Sequence, residues 1–245
     1  MRISSAFFWI SQNWGGIVMG MIDIGHGGRK SFRALFQRSK YYIVMNMLST
    51  HVRLNREIHR LEAMAKQGES YTDTTGKYGW RNPIREDTGP LLAAEVASGD
   101  PKRILEIGTA HGLSALHLIS GWNEVENKVL HTIEMEENVG RQAQELFDLL
   151  GVPATVHVGE AMDIIQNRLI GTFDLVFLDA QKSHYGRQWR ALVSAGLVGS
   201  GTLLLADNVI DRALECTDLF NALQEQGIDY LILPTECGLL KAVVP

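Results

Sequence analysis

Phe173-Asp174-Leu175-Val176-Phe177-Leu178-Asp179-Ala180-Gln181-Lys182 and its echo Gly201-Thr202-Leu203-Leu204-Leu205-Ala206-Asp207-Asn208 are the stretches from which the fold is read. Each is an apolar run of strand length with no polar alternation, as expected of a strand covered on both faces. Each ends on oxygen-bearing side chains, Asp179 in one and Asp207-Asn208 in the other. In a parallel α/β sheet, ligands gather at the carboxyl ends of the strands. These groups should therefore converge on one edge, which is the candidate site.

Working outward, apolar runs at 103–107, 129–133 and 154–158 precede these two, and helix-like or loop segments lie between them. That β-α alternation argues for a parallel sheet with helices on both faces. The last two runs, 230–233 and 239–244, are separated only by Pro234-Thr235-Glu236-Cys237-Gly238, too short for a crossover helix. They predict an antiparallel hairpin at the sheet edge. The expected fold is α/β: a Rossmann-like, seven-stranded, mostly parallel sheet with that hairpin, preceded by a helical N-terminal extension. Residues 30–66 have helical character, with Leu54, Ile58, Leu61 and Ala65 on one face. Gly, Ser, Thr, Tyr, Trp and Asn dominate from Gly68 to Pro83, which reads as a loop. A division into residues 1–68 and 69–245 follows, and Asp87-Thr88 offer an N-cap for the next helix.

The 245 residues suffice for one large domain with an appendage, and the 45% hydrophobic and 21% charged shares suit a globular chain. The net charge of −5 is unevenly spread: residues 1–60 hold nine basic and two acidic side chains. A basic arm on an acidic body can seek nucleic acid, an anionic membrane surface or another subunit, or can simply be a solvated helix face. Cys216 and Cys237 have neither metal-like nor paired spacing, which fits a reducing, cytoplasmic setting. The apolar run Ala6-Phe7-Phe8-Trp9-Ile10 stops at Ser11, well short of the ~20 residues of a spanning helix. Phe7, Phe8, Trp9 and Trp14 suit a peripheral membrane contact, and disorder is the plainer expectation.

Ile104-Leu105-Glu106-Ile107-Gly108-Thr109-Ala110-His111-Gly112-Leu113-Ser114 reads as a strand, a glycine-bearing turn and a helix start. Gly108 and Gly112 would let a ligand approach the backbone, and the helix start offers free N–H donors. The spacing is G-x-x-x-G, not the G-x-G-x-x-G of a pyrophosphate site. Glu106 beside the turn favours a cofactor with a cationic amino-acid end. Leu130-His131-Thr132-Ile133-Glu134 then puts an acid at a strand end, where a carboxylate can accept both hydroxyls of a ribose.

Taken in order, E-x-G-x-x-x-G-x-S, T-I-E, V-G-E-A-M-D-I-I, F-L-D-A-Q-K and G-T-L-L-L-A-D-N-V-I make the chain resemble the class I S-adenosylmethionine-dependent O-methyltransferases. Within them it is similar to the metal-dependent branch of catechol and caffeoyl-coenzyme A O-methyltransferases, from about Asn82 to Asn208. The resemblance implies that Asp179, Asp207 and Asn208 hold Mg²⁺ or another divalent cation and that Lys182 is the general base. It implies that Glu134 binds the ribose, that Glu106, Gly108 and Ser114 surround the methionine part, and that Ile84 closes over the cofactor. Gly159, Ala161 and Met162 fall at the adenine-contacting turn, and Asp179 also adjoins the cofactor.

Three departures stand out, the first an adenine turn that reads Glu160-Ala161-Met162 rather than the small polar pattern of catechol O-methyltransferase. Gln181 replaces the aromatic residue that catechol O-methyltransferase has before the lysine, and the chain is short between Ile210 and Tyr230, so the acceptor specificity of that enzyme does not carry over. The resulting expectation is a metal-dependent O-methyltransferase acting on a small hydroxylated acceptor, catechol-like or a vicinal diol, working as a homodimer. Methylation of a hydroxyuridine in tRNA, with the basic arm on phosphates, is the alternative enzyme. A non-catalytic cofactor-binding or membrane-associated interaction protein is the alternative of another class. His111, His117, His131, His157 and His184 are scattered without ligand spacing, and Tyr78 and Trp80 are candidates to stack on an acceptor or on adenine.

Overall fold

The computed structural model describes residues 8–13, 16–21, 40–67 and 83–245, with side chains described for 50–67 and 83–245. Two compact units divide between Ser49 and Thr50. In the smaller unit, β1 (Phe8–Asn13) and β2 (Gly16–Met21) pair antiparallel, a hairpin where the sequence suggested disorder. The side chains of Phe8 and Trp9, with Phe7 and Trp14, lie outside the described residues, as do Tyr78, Trp80 and the expected loop at 68–82. Helix α1 (Lys40–Gln67) covers the later part of the expected helical stretch. Its second half brings Leu54, Ile58 and Leu61, all nearly inaccessible, into the core of the larger unit.

That core is built on a seven-stranded sheet in the order β5-β4-β3-β6-β7-β9-β8. Strands β3 (Arg103–Ile107), β4 (Val129–Glu134), β5 (Ala154–Val158), β6 (Leu175–Leu178) and β7 (Leu203–Ala206) run parallel. Strands β8 (Tyr230–Leu233) and β9 (Leu239–Val243) close the edge as the expected antiparallel pair. Side chains alternate between two apolar layers: Ile104, Leu130, Leu175 and Phe177 face one, Leu105, Ile107, Ile133 and Val176 the other. Both faces are covered, so the strands read as continuous apolar runs. Helices α2 (Thr88–Gly99), α3 (Leu113–Ser120) and α4 (Glu137–Leu150) cover the first layer with α1. Helices α5 (Ala161–Asn167), α6 (Tyr185–Ser194) and α7 (Thr217–Glu225) cover the second.

The chain runs from β3 outward to β4 and β5, then returns to β6 on the other side of β3. The order reverses between β3 and β6, and at such a point the following loops diverge and leave a crevice. One local expectation is corrected. Asp87 stands at the start of α2 but makes no side-chain cap; its Oδ2 accepts the Glu236 N–H at 2.7 Å instead. A bond across the fold has displaced the local one.

Candidate functional site

At the end of β3 the backbone turns at Gly108 with φ of 110°, a conformation that costs other residues dearly. A Cβ there would lie 2.6 Å from the carbonyl oxygen of Asp179. Glycine thus allows the ends of β3 and β6 to close up where the sheet order reverses. Gly112 (φ 82°) is small for a different reason from the one expected: a Cβ there would meet the ring of Phe147 at 2.9 Å. It accommodates a core side chain of α4.

A cavity of about 450 Å³ opens above this turn. Ile84, Gly108, Ser114, Glu134, Gly159, Ala161 and Asp179 all line it, gathered by the fold from between residues 84 and 179 of the chain. 

Glu106 and Met162 do not line the cavity. Glu106 is fully buried: Thr132 Oγ1 donates to its Oε2 at 2.5 Å, and its Oε1 has no hydrogen-bond partner among the described residues. Burial pushes its pKa up to about 8, against the pull of the Ser114 and Thr132 hydroxyls. Glu134 is held from both sides, Oε2 by Ala110 N at 2.9 Å and Oε1 by Glu136 N at 3.0 Å. Each oxygen keeps a lone pair for a ligand hydroxyl.

Strand β6 delivers Asp179 and β7 delivers Asp207 and Asn208, and the register pairs Leu178 with Ala206, so the two acids leave neighbouring strand ends together. Lys182 Nζ donates to Asp179 Oδ1 at 2.9 Å. Burial raises the Asp179 pKa to about 6, opposed by Lys182, and raises Asp207 to about 7 with help from the Asp179 charge. Asp207 is 1% exposed and its Oδ1 has no hydrogen-bond partner among the described residues. Two buried acids that disfavour each other's ionisation, with an unpartnered oxygen and an adjacent amide, fit a hard divalent cation. Among the described residues no cluster of three His, Cys, Asp or Glu side chains could hold a metal; the set here is two acids and an asparagine.

A second cavity, about 900 Å³, adjoins the first. Lys182, Gln181, Ala180, Leu113, Ile84 and Pro83 line both. Its other walls are strongly charged, and the charges are largely paired: Lys66 with Glu86 at 3.0 Å, Arg212 with Glu215 at 2.8 Å, Arg85 with Glu236 at 3.9 Å. Sequence reasoning did not single out Arg85, Asp211, Arg212 or Glu215, although Asp211-Arg212 directly follow the motif that ends at Ile210. Nor did it find Gln188 on the first cavity. The histidines separate into roles: His111 and His184 line the first cavity, His117 pairs with Glu62 at 3.2 Å, and His131 Nδ1 lies 2.9 Å from His157 Nε2 across β4 and β5.

Comparison with known proteins bears on the family and the fold. Residues 105–209 match the family described as a methyltransferase domain. Catechol O-methyltransferase of Sus scrofa is 34% identical over 128 residues, covering 50% of this chain and 68% of that one. Catechol O-methyltransferase B of Danio rerio is 31% identical over 137 residues, 54% of this chain and 51% of its own. The chain therefore spans between about half and two thirds of the length of these relatives. An O-methyltransferase from Bacillus cereus in complex with SAH superposes with a TM-score of 0.61 at 22% identity, over 80% of this chain and 91% of that one, a likeness of fold. The chain belongs to the class I S-adenosylmethionine-dependent O-methyltransferases.

Proposed function

We propose that this protein transfers a methyl group from S-adenosylmethionine to an oxygen of a small acceptor with adjacent hydroxyl groups, assisted by a divalent cation at Asp179, Asp207 and Asn208. The observation that carries this reading is the meeting of two cavities along Ala180–Lys182, one lined by the ribose-type acid Glu134 and the other by Asp207 and Asn208. The names of the pig and zebrafish relatives point to a vicinal diphenol, and the SAH in the Bacillus cereus structure is what remains of the cofactor after transfer. A homodimer in the cytoplasm accompanies the proposal. Among the described residues no helix is long and apolar enough to cross a membrane.

In this reading the smaller cavity holds the cofactor. Glu134 accepts its ribose hydroxyls, the turn at Gly159 and Ala161 receives the adenine, and Gly108 and Ser114 flank the methionine part. A cationic amino group near Glu106 would favour the ionised form of that buried acid. The larger cavity holds the acceptor. A divalent cation bound to the acceptor oxygens would lower the pKa of the hydroxyl that reacts. Lys182 Nζ, as the neutral amine, takes that proton, the oxygen–carbon bond forms as the carbon–sulfur bond breaks, and SAH leaves with its sulfur uncharged. Most of the rate then comes from aligning the two reactants, which is the work of the shared wall.

Labelled S-adenosylmethionine offered with vicinal diphenols, flavonoid-like phenols and hydroxylated tRNA, in Mg²⁺ or EDTA, tests the proposal. Label should enter a vicinal diphenol in Mg²⁺ alone, and Asp207→Ala should lower that rate about 100-fold or more while SAH binding changes only a few-fold. Full activity in EDTA overturns the cation; label entering only tRNA overturns the small acceptor.

A further inference from the structure

Gln188 in α6 is 2% exposed, lines the 450 Å³ cavity, and carries an Oε1 with no hydrogen-bond partner among the described residues. A buried amide oxygen left unpaired is costly, so a ligand that brings a donor there gains what the free protein lacks. The surroundings say which part of a ligand that is. Arg187, the preceding residue, reaches Glu160 Oε1 at 3.5 Å, and α5, which starts at Ala161, packs against α6. Gln188 therefore stands beside the 159–161 turn.

That turn has little polar capacity left for a base. The Glu160 carboxylate accepts the Met162 and Asp163 N–H groups at 2.6 and 3.3 Å, which caps α5, and the side chains of Ala161 and Met162 carry no amide or hydroxyl. The turn supplies surface for a flat ring; the polar reading of that ring has to come from elsewhere. Resting on the cofactor reading above, we propose that the Gln188 carboxamide oxygen accepts the exocyclic amine of the cofactor's adenine. The other donors on the nucleoside half of S-adenosylmethionine, the ribose hydroxyls, are accounted for by Glu134. Gln188 is thus the residue that selects adenine over other purines.

The test compares SAH with S-inosylhomocysteine, in which a carbonyl replaces the amine, by calorimetric titration of the full chain. Wild type should bind SAH about tenfold or more tightly than the inosine analogue, because a site built for a donor rejects a ligand lacking it. Gln188→Met should weaken SAH by a similar factor and bring the two ligands within about twofold of each other. A wild-type ratio below about threefold, as when a trapped water satisfies Oε1, overturns the proposal, and so does a Q188M protein that keeps the full ratio. Should Q188M not fold, the wild-type ratio alone decides. Wild type that binds neither ligand instead overturns the cofactor reading on which the proposal stands.

Discussion

Glu106 shows what a single residue sets. Its pKa rises to about 8 in the folded chain from 4.5. The folded state therefore binds a proton more tightly than the unfolded one, and stability is highest below about pH 4.5 and is lost as pH climbs toward 8. The loss is on the order of 5 kcal/mol for a shift of this size. Glu106→Gln removes that titration, so denaturant unfolding without cofactor should show a pH 5 to 8 decline smaller by a few kcal/mol than in wild type. Asp179 and Asp207 titrate in the same direction in both proteins, so the difference isolates Glu106. An equal decline in the two would show that Glu106 is ionised in the fold. Its position before the glycine turn was legible in the sequence, but its burial was not, because that depends on Thr132 in the neighbouring strand. The same limit hid Gln188, an ordinary helical residue until α6 is laid against α5.

Elements were legible to the extent that they were continuous. Every strand of the large sheet appears within a residue or so of its apolar run, because runs covered on both faces leave no ambiguity of period. Pairing across strands was not legible: His131 and His157 look scattered, and only the β4–β5 register makes them neighbours. Charged groups at strand starts were equally opaque. Asp174 Oδ2 accepts Lys102 N at 2.7 Å and Arg103 N at 2.9 Å, which ties the start of β6 to that of β3. Asp174→Ala should cost about 1–3 kcal/mol in denaturant unfolding and leave SAH affinity within about twofold, since the site lies at the opposite strand ends. A tenfold loss of affinity would mean that this anchor also sets the site.

For the whole molecule, the informative division is at Ser49 and Thr50, with both cavities lined by residues of the larger unit. Removing residues 1–39 leaves α1 whole. The shortened chain should keep its melting temperature within a few degrees and its SAH affinity within about twofold, by calorimetry. A large fall in either would give the basic arm a part in the domain. The hairpin β1–β2 escaped sequence reading because its two short strands lack the long apolar runs that mark the main sheet.

The hydrogen bond from Glu236 N to Asp87 Oδ2 spans 149 positions of the chain. Asp87 and Glu236 both line the larger cavity, so that wall is a seam between the segment leading into α2 and the edge hairpin. Contacts so distant in sequence form late, after closure of a long loop. The larger cavity thus completes its wall only once that loop has closed, and a chain still short of that point would hold the walls of the smaller cavity without those of the larger.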